Sequence, residues 1–152
     1  MSCAPPGPCS CPAHLNNNIH LLKPKAMTKR ILVVDDDISV LEVIEAALSY
    51  ENFDVKTVGR TYNILKTIEE YKPDIILLDY LLDDINGGEY CHQIKTHPAS
   101  KHLPVIIISA YPQVFESLGT YGCDSFIAKP FDLSTLVQTI NTCLNKKQID
   151  YV

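Results

Sequence analysis

The sequence predicts an α/β fold, a doubly wound parallel sheet of five strands with helices on both faces. Short apolar runs, such as residues 75–78, contain no polar position, so they are typical of strands that are covered on both faces. Segments with apolar residues at helical spacing alternate with these runs, and that alternation indicates a parallel sheet. Crossovers between parallel strands are right-handed, which divides the helices between the two faces.

The first two strands are predicted at residues 31–34 and 52–58, with Gly59 closing the second. The helix between them presents two neighbouring apolar rows, Leu41, Ile44 and Leu48, then Val40, Val43 and Ala47. Thr61 is predicted to cap the next helix. The apolar residues of that helix are Ile64, Leu65, Ile68 and Tyr71.

The third strand, at residues 75–78, ends on Asp79 and is the centre of the predicted sheet. Pro73 marks its start, because proline ends a preceding helix and restricts the residue before it. A polar loop follows at residues 83–88, and a helix is predicted at residues 89–97, where Pro98 stops it. The inward residues of that helix are Tyr90, Cys91 and Ile94.

The fourth strand is predicted at residues 105–108, and a brief fifth strand at residues 126–128. A short helix around Val114 and Leu118, ending near Gly119 or Gly122, connects these two strands. Asp132 is predicted to cap the last helix. One face of that helix carries Leu133, Leu136, Val137, Ile140 and Leu144.

A chain of 152 residues suits one domain, which we place at residues 29–147. Residues 1–28 are rich in proline and predict a disordered leader. Because Met27 directly precedes the first strand, this leader is alternatively a non-native start. Residues 148–152 are predicted to be a short tail, and no output domain is expected.

The composition excludes several classes of function. A net charge of -5 leaves no basic surface for nucleic acid, and apolar runs this short cannot span a membrane. The leader lacks the pattern of a signal peptide, and Cys3, Cys9, Cys11 and His14 do not have the spacing of zinc ligands. Cysteines placed singly in periodic segments are typical of reduced, buried residues. We therefore expect a cytoplasmic protein that binds neither nucleic acid nor membranes.

Polar side chains follow the predicted strands, namely Asp35, Asp36, Asp37, Asp79, Ser109 and Lys129. The carboxyl ends of parallel strands meet at one edge of a sheet, where open α/β sheets bind ligands. A helix cap accounts for Asp37, but clustered like charges are unfavourable unless a cation or a protonation offsets them. Mg²⁺ suits such a site because it prefers oxygen ligands. With Asp79 as a carboxylate nucleophile, the set predicts a site of phosphoryl transfer.

Residues 29–146 resemble a response-regulator receiver domain of two-component signalling, of the stand-alone, single-domain type. The resemblance rests on four motifs in this order, at residues 31–37, 73–79, 105–110 and 126–131. It implies the flavodoxin-like receiver fold, a five-stranded parallel sheet of order 2-1-3-4-5. It also implies a bacterial phosphoacceptor protein rather than an enzyme, with self-catalysed phosphotransfer and dephosphorylation only.

The resemblance implies a role for each matched residue. Asp79 would accept a phosphoryl group from a sensor histidine kinase or a phosphotransfer protein, in an Mg²⁺-dependent reaction. Asp36 and Asp79 would ligate Mg²⁺ together with the backbone carbonyl of Leu81. Asp35 would join through water or a second carboxylate contact. The phosphoryl oxygens would be held by Ser109 and Lys129, and the Lys129–Pro130 peptide bond would be cis.

Phe126 occupies the family's aromatic switch position, where the resemblance implies that it turns inward as Ser109 moves toward the phosphoryl group. Plain core packing is the alternative role for Phe126. Signalling would reach a downstream protein partner through the last two strands, near Tyr111, Tyr121 and Phe131. A phosphate shuttle in a phosphorelay would need no such change of contacts.

The loop after Asp79 departs from the family pattern. It carries Asp83-Asp84 where many relatives have Pro-Gly, and Asn86 where an acid is common. The extra carboxylates either alter metal affinity or loop geometry, or are simply solvated. Leu81 and Tyr111 occupy positions that influence the phosphoryl lifetime in this family.

Two other functions fit part of the pattern. Residues 35–39 also match the Asp-x-Asp-x-Ser/Thr motif of haloacid-dehalogenase-like phosphatases, with Asp35 as nucleophile and Asp37 as acid/base. That reading leaves Asp79 without a purpose. A non-switching interaction module on the same scaffold predicts no Mg²⁺-dependent modification.

Overall fold

A computed structural model describes residues 2–3, 27–83, 85–111, 113 and 121–149. Its five strands form one parallel sheet in the order β2-β1-β3-β4-β5, which confirms the predicted fold class and order. The strands are β1 (Arg30–Val34), β2 (Asp54–Val58), β3 (Ile75–Asp79), β4 (Val105–Ser109) and β5 (Ser125–Ala128). Each was predicted within two residues of these bounds.

The helices of the described residues are α1 (Ile38–Tyr50), α2 (Ile64–Tyr71), α3 (Gly87–Thr96) and α4 (Leu133–Ile149). The predicted helix around Val114 and Leu118 lies outside the described residues, as does most of the leader. Within the described residues, no helix combines the length and the apolar character needed to cross a membrane.

Two apolar cores lie on opposite faces of the sheet, because successive side chains of a strand point to opposite sides. The core against α1 and α4 takes alternate strand residues such as Ile75 and Leu77, whereas the core against α2 and α3 takes Ile76 and Leu78. All five residues of β3 are buried. The central strand therefore packs into both cores, and its last residue lies at the middle of the carboxyl edge.

The cap residues predicted for α1 and α4 are confirmed, whereas the one predicted for α2 is not. Asp37 caps α1 by accepting the Ser39 amide at 2.9 Å, and Asp132 accepts the Thr135 amide at 2.7 Å, both as predicted. The prediction that Thr61 caps α2 was wrong. Asn63 is the cap, since its side chain accepts the Lys66 amide at 3.0 Å and the helix begins one residue later.

The apolar rows of the helices are buried to different depths. In α1, Leu41, Ile44 and Leu48 are buried as predicted, but Val43 of the second row is 56% exposed. In α4, Leu133 is the first residue of the helix and is 41% exposed. The inner residues of α3 are buried, and Cys91 among them is a free thiol.

Candidate functional site

Four polar residues predicted for the site meet at the carboxyl edge of the sheet. Asp35 directly follows β1, Asp79 ends β3, Ser109 ends β4 and Lys129 directly follows β5. Parallel register brings them together, since Asp79 lies opposite Ile108 and Ser109 lies opposite Ala128. Asp35, Asp79 and Ser109 are all at most 7% exposed, so the site is built into the sheet edge.

Three carboxylates form a compact acidic group. Asp35, Asp36 and Asp79 each offer an oxygen atom, and these oxygens lie within 4.8 Å of one another. Asp37 does not belong to this group, because it is exposed and its side chain caps α1. Its backbone amide instead donates to Asp35 Oδ1 at 2.9 Å, which fixes the orientation of the buried Asp35 carboxylate.

Lys129 is the cation of the site. Its ammonium nitrogen lies 2.9 Å from Asp79 Oδ1 and 3.2 Å from Asp35 Oδ2. The backbone amide of Lys129 donates to the Ser109 carbonyl at 2.8 Å, so the residue is held as a continuation of the β4–β5 pairing. The Lys129–Pro130 peptide bond is cis, as the family resemblance implied.

Asp36 and Asp79 of this group resist ionisation. Burial raises the pKa of the Asp79 carboxyl, and the nearby Asp35 charge adds to this, although Lys129 acts in the opposite direction. Burial likewise raises the pKa of Asp36, followed by a hydrogen bond and charge repulsion from Asp83. Burial works against the charge of Lys129, but the two carboxylates outweigh it and raise the pKa of the ammonium.

These acids fit a bound Mg²⁺ ion. Magnesium takes oxygen ligands and is usually held by one or two carboxylates, with water completing its shell. Three converging carboxylates with a single neutralising ammonium leave negative charge that a divalent cation would offset. The backbone carbonyl of Leu81 was predicted as a further ligand, and this residue lies two positions after Asp79 with its side chain 53% exposed.

Ser109 and Phe126 lie on the neighbouring strands β4 and β5, with Ser109 opposite Ala128 and Phe126 opposite Ile107, and they differ in surroundings. The Ser109 hydroxyl oxygen is buried and accepts the Tyr111 amide at 3.0 Å, while the Tyr111 side chain is 53% exposed. Phe126 is half-buried and packs on the core that faces α2 and α3. This position agrees with core packing, and its predicted switching role stays a prediction.

Gly87 is a site residue that the sequence reasoning missed. A Cβ atom at Gly87 would overlap the backbone carbonyl oxygen of Asp79, so the first turn of α3 lies directly against the end of β3. The Gly87 amide donates to the Tyr80 carbonyl at 2.8 Å. Two glycines in the first turn of a helix are a detectable signal, since glycine is a poor helix former.

Gly88 supports a second contact that was not predicted. A Cβ atom there would overlap the ring of Tyr121. Tyr121 also hydrogen-bonds the side chain of Tyr80, the residue after Asp79, and its carbonyl accepts the Cys91 thiol at 3.6 Å. The residue that follows Asp79 is thereby linked to the segment that enters β5.

Asp83 also reaches the site, with a partner that the sequence did not indicate. Its carboxylate pairs with Arg60 at 2.7 Å and lies within hydrogen-bonding reach of Asp36. Arg60 lies in the loop after β2 and Asp83 in the loop after β3. The neighbouring Asp84 lies outside the described residues, and Asn86 caps α3 by accepting the Glu89 amide at 2.8 Å.

Comparison with known proteins matches this geometry to one family. The model of the family described as the response regulator receiver domain matches residues 31–141. The DNA-binding response regulator MtrA of Mycolicibacterium paratuberculosis is 34% identical over 122 residues, covering 79% of this chain and 53% of MtrA. The chain thus spans about half the length of the curated relatives it matches.

Two solved structures show the same likeness. A response regulator receiver domain protein (CheY-like) of Methanospirillum hungatei has a TM-score of 0.70 and 28% identity, covering 81% of this chain and 98% of that one. The response regulator TrrA of Thermotoga maritima, solved in complex with Mg²⁺ and BeF, has a TM-score of 0.69 and 26% identity, covering 76% of this chain and 99% of that one.

Proposed function

The chain belongs to the response regulator receiver domain family, and from this premise we propose that Asp79 accepts a phosphoryl group from the phosphohistidine of a sensor histidine kinase. One observation carries the proposal. Asp79 is a buried carboxylate at the end of the central strand, with an ammonium 2.9 Å away and two further carboxylates beside it. Phosphoryl transfer asks a protein mainly for such positioning and charge neutralisation.

Each residue of the site has a task in the proposed reaction. Asp79 supplies the carboxylate oxygen that forms the acyl phosphate as the bond between phosphorus and the histidine nitrogen breaks. Lys129 neutralises charge on the phosphoryl oxygens, and the Ser109 hydroxyl donates to another of them. Asp36, Asp79 and the Leu81 carbonyl would hold Mg²⁺, with Asp35 assisting. When bound, the ion would supply positive charge that offsets the negative charge of the incoming phosphoryl group.

The output of the proposed reaction is a change in protein contacts. Phosphorylation would shift a pre-existing equilibrium at the last two strands, near Tyr111, Tyr121, Phe126 and Phe131, in favour of one partner-binding form. Tyr121 supports this, because it contacts the residue that follows Asp79. A phosphate shuttle uses the same chemistry without a change in partner affinity. The expectations of a cytoplasmic, single-domain protein that binds no nucleic acid remain predictions.

The phosphatase alternative finds less support in the geometry. It requires Asp37 as acid/base, but the Asp37 carboxylate is exposed and accepts the Ser39 and Val40 amides as a helix cap. It also leaves the buried contact between Asp79 and Lys129 without a role.

The proposal is tested by acetyl phosphate labelling in the presence of Mg²⁺, followed by mass spectrometry of the modified peptide. We expect label on Asp79 in the wild type and none in Asp79→Asn. Asp37→Asn is the matched control, since asparagine caps a helix as well as aspartate and this variant should label like the wild type.

Three outcomes would contradict the proposal. Label on Asp35, or loss of phosphatase turnover in Asp37→Asn, would favour the phosphatase. Undiminished labelling of Asp79→Asn would remove the phosphoacceptor role. For the output, a partner pull-down with and without beryllofluoride should differ, and equal capture would leave the shuttle role.

A further inference from the structure

Asp83 and Arg60 form an ion pair at the entrance to the acidic group. Arg60 Nη2 lies 2.7 Å from Asp83 Oδ2, and the two side chains come from different loops at the carboxyl edge. On its other side the Asp83 carboxylate lies within hydrogen-bonding reach of the Asp36 carboxyl. Asp83 is thus placed between a guanidinium and a carboxylate of the acidic group.

Stability does not explain this pair. The Arg60 and Asp83 side chains are 61% and 54% exposed. Ion pairs between such exposed side chains contribute about 0–1 kcal/mol to folding, and many contribute nothing measurable. Placing a further carboxylate beside Asp36 adds charge repulsion to a group that already holds three converging carboxylates. The arrangement is unfavourable in the absence of a cation, and its cost falls when a cation is present.

The two members of the pair have opposite effects on the attraction of the acidic group for a cation. Asp35, Asp36 and Asp79 with Lys129 leave a net negative charge at the site. Asp83 increases the attraction of this site for a cation, and Arg60 decreases it. While they are paired, the two contributions largely cancel.

We propose that Asp83 strengthens the binding of Mg²⁺ to the acidic group and that Arg60 limits it, so that their pairing keeps the affinity between these two extremes. The inference rests on the proposed metal site of Asp35, Asp36 and Asp79. It gives a role to an acid in the loop after β3, at the position where this chain departs from its family's pattern. Asp83 and Arg60 act through the charge around Asp36, so they are positioning residues.

Titration with MgCl₂ tests the pair directly. Labelled with ¹⁵N, the unphosphorylated protein is titrated at constant ionic strength, and the amide signals of residues 35–37 and 79–83 give the Kd for Mg²⁺. Arg60→Gln should lower this Kd and Asp83→Asn should raise it, each by roughly three- to tenfold in low salt. The double variant should return close to the wild type, and all differences should shrink in about 1 M salt because the charges are screened.

The control pair is Lys66 and Glu70 on α2. Their side chains are 70% and 61% exposed, which is similar to Arg60 and Asp83, but the pair is longer, at 3.8 Å, and lies on a different surface. Lys66→Gln and Glu70→Gln should leave the Kd for Mg²⁺ unchanged. Thermal melting of all variants without Mg²⁺ checks that the fold is intact.

The outcomes separate this inference from the proposed function. Saturable binding in the wild type that is lost in Asp36→Asn supports the metal site. If binding then stays equal in Arg60→Gln and Asp83→Asn, or shifts in the same direction in both, the pair has no such role and the metal site stands. A wild type with no saturable response would overturn both.

Discussion

Acidic side chains lie at the amino edge of the sheet as well as at the carboxyl edge, but the two edges differ in how those charges are matched. At the amino edge, Arg30 pairs with Asp54 at 3.1 Å, and its backbone amide donates to Asp74 at 2.8 Å. The Arg30 guanidinium also lies 4.5 Å from the ring centre of Tyr71. The Tyr71 hydroxyl donates to the Asp54 carbonyl at 2.9 Å.

At the carboxyl edge the matching is incomplete. Asp35, Asp36 and Asp79 converge on one another, and Lys129 is the ammonium that contacts Asp35 and Asp79. At the amino edge Asp54 and Asp74 each have a partner from the chain and are partly exposed, whereas the carboxyl edge, with Asp35 and Asp79 buried, is suited to a cation and then to a phosphoryl group. Clustered charge by itself therefore does not identify a functional site, but an excess of one sign among buried groups points to one.

The largest expected effect is on the labelling rate when one lysine at each edge is replaced by glutamine. Lys129→Gln removes the ammonium beside Asp79, so the rate of labelling by acetyl phosphate should fall by about a hundredfold or more. Lys95 at the amino edge also contacts an acid, Asp124, and donates to the Leu103 carbonyl at 2.7 Å. Lys95→Gln should leave the labelling rate unchanged and lower the free energy of unfolding by about 1–3 kcal/mol.

Time courses of labelling and urea denaturation of both lysine variants make this comparison. Equal slowing in Lys95→Gln and Lys129→Gln would mean that the labelling rate follows general stability. In that case the contrast between the edges would carry no functional information.

A smaller effect is expected from a glycine at each edge. Gly87→Ala forces a methyl group onto the Asp79 carbonyl oxygen, which should cost about 1–3 kcal/mol of stability and also weaken labelling. Gly122 lies before β5 with φ of 85°, so Gly122→Ala should cost about 1 kcal/mol and spare labelling of the folded fraction. Gly59→Ala is a neutral control, since the nearest atom to its Cβ is 3.9 Å away.

Denaturation curves together with labelling rates, corrected for the folded fraction, distinguish these glycine variants. If Gly87→Ala labels at the wild-type rate per folded molecule, the contact between α3 and the end of β3 does not position Asp79.

Neutralising one acid at each edge should change stability in opposite directions. Without Mg²⁺, Asp36→Asn relieves repulsion and should raise the free energy of unfolding by up to about 1 kcal/mol. Asp54→Asn loses its pair with Arg30 and should lower that free energy by about 0.5–1 kcal/mol. Adding Mg²⁺ should reverse the advantage of Asp36→Asn, because the wild type then gains from binding. Urea denaturation in EDTA and in MgCl₂ measures both differences, and a loss of stability in both variants would contradict the contrast.

The smallest effect concerns pH. The pKa of Asp36 is raised above its ordinary value of 3.8, so the folded chain binds this proton more tightly than the unfolded chain does. Its contribution to stability is then fully present below the unfolded pKa and is lost as the pH rises through the folded pKa. The advantage of Asp36→Asn in EDTA should therefore be largest at neutral pH and vanish below about pH 4. Thermal melts across this range test it, and a constant difference would rule out the proposed cause.

Strands and the location of the site could be predicted because their signals are local. Each strand is a run of apolar residues that no helix of useful length can contain, and each site residue stands at the end of such a run. Asp35, Asp79, Ser109 and Lys129 meet because parallel strands share an edge, which requires no knowledge of the loops. The cap at Asp37 follows from local geometry in the same way.

The parts that sequence reasoning missed depend on where segments distant in the chain approach each other. Arg60 and Asp83 are 23 residues apart on separate loops, and no spacing rule connects them. Gly87 matters because it lies against the backbone carbonyl of Asp79. The residues next to Gly87 in the sequence do not indicate this contact. Thr61 and Asn63 are both good cap residues, so the choice between them depends on how the chain leaves β2. Val43 belongs to an apolar row but is 56% exposed, whereas Val40 of the same row packs against the core.

The two cores on either side of β3 have a consequence for how a sequence with this fold can change. Substitutions on the buried faces of α1 and α4 alter the packing of one core, and those on α2 and α3 alter the other. The central strand β3 separates the two cores. The surfaces that recognise a phosphoryl donor and a partner protein can therefore change independently if they lie on opposite faces of the sheet. The chemistry at the tip of β3 sets the limit on that change, since a displacement of this strand would be transmitted to both faces at once.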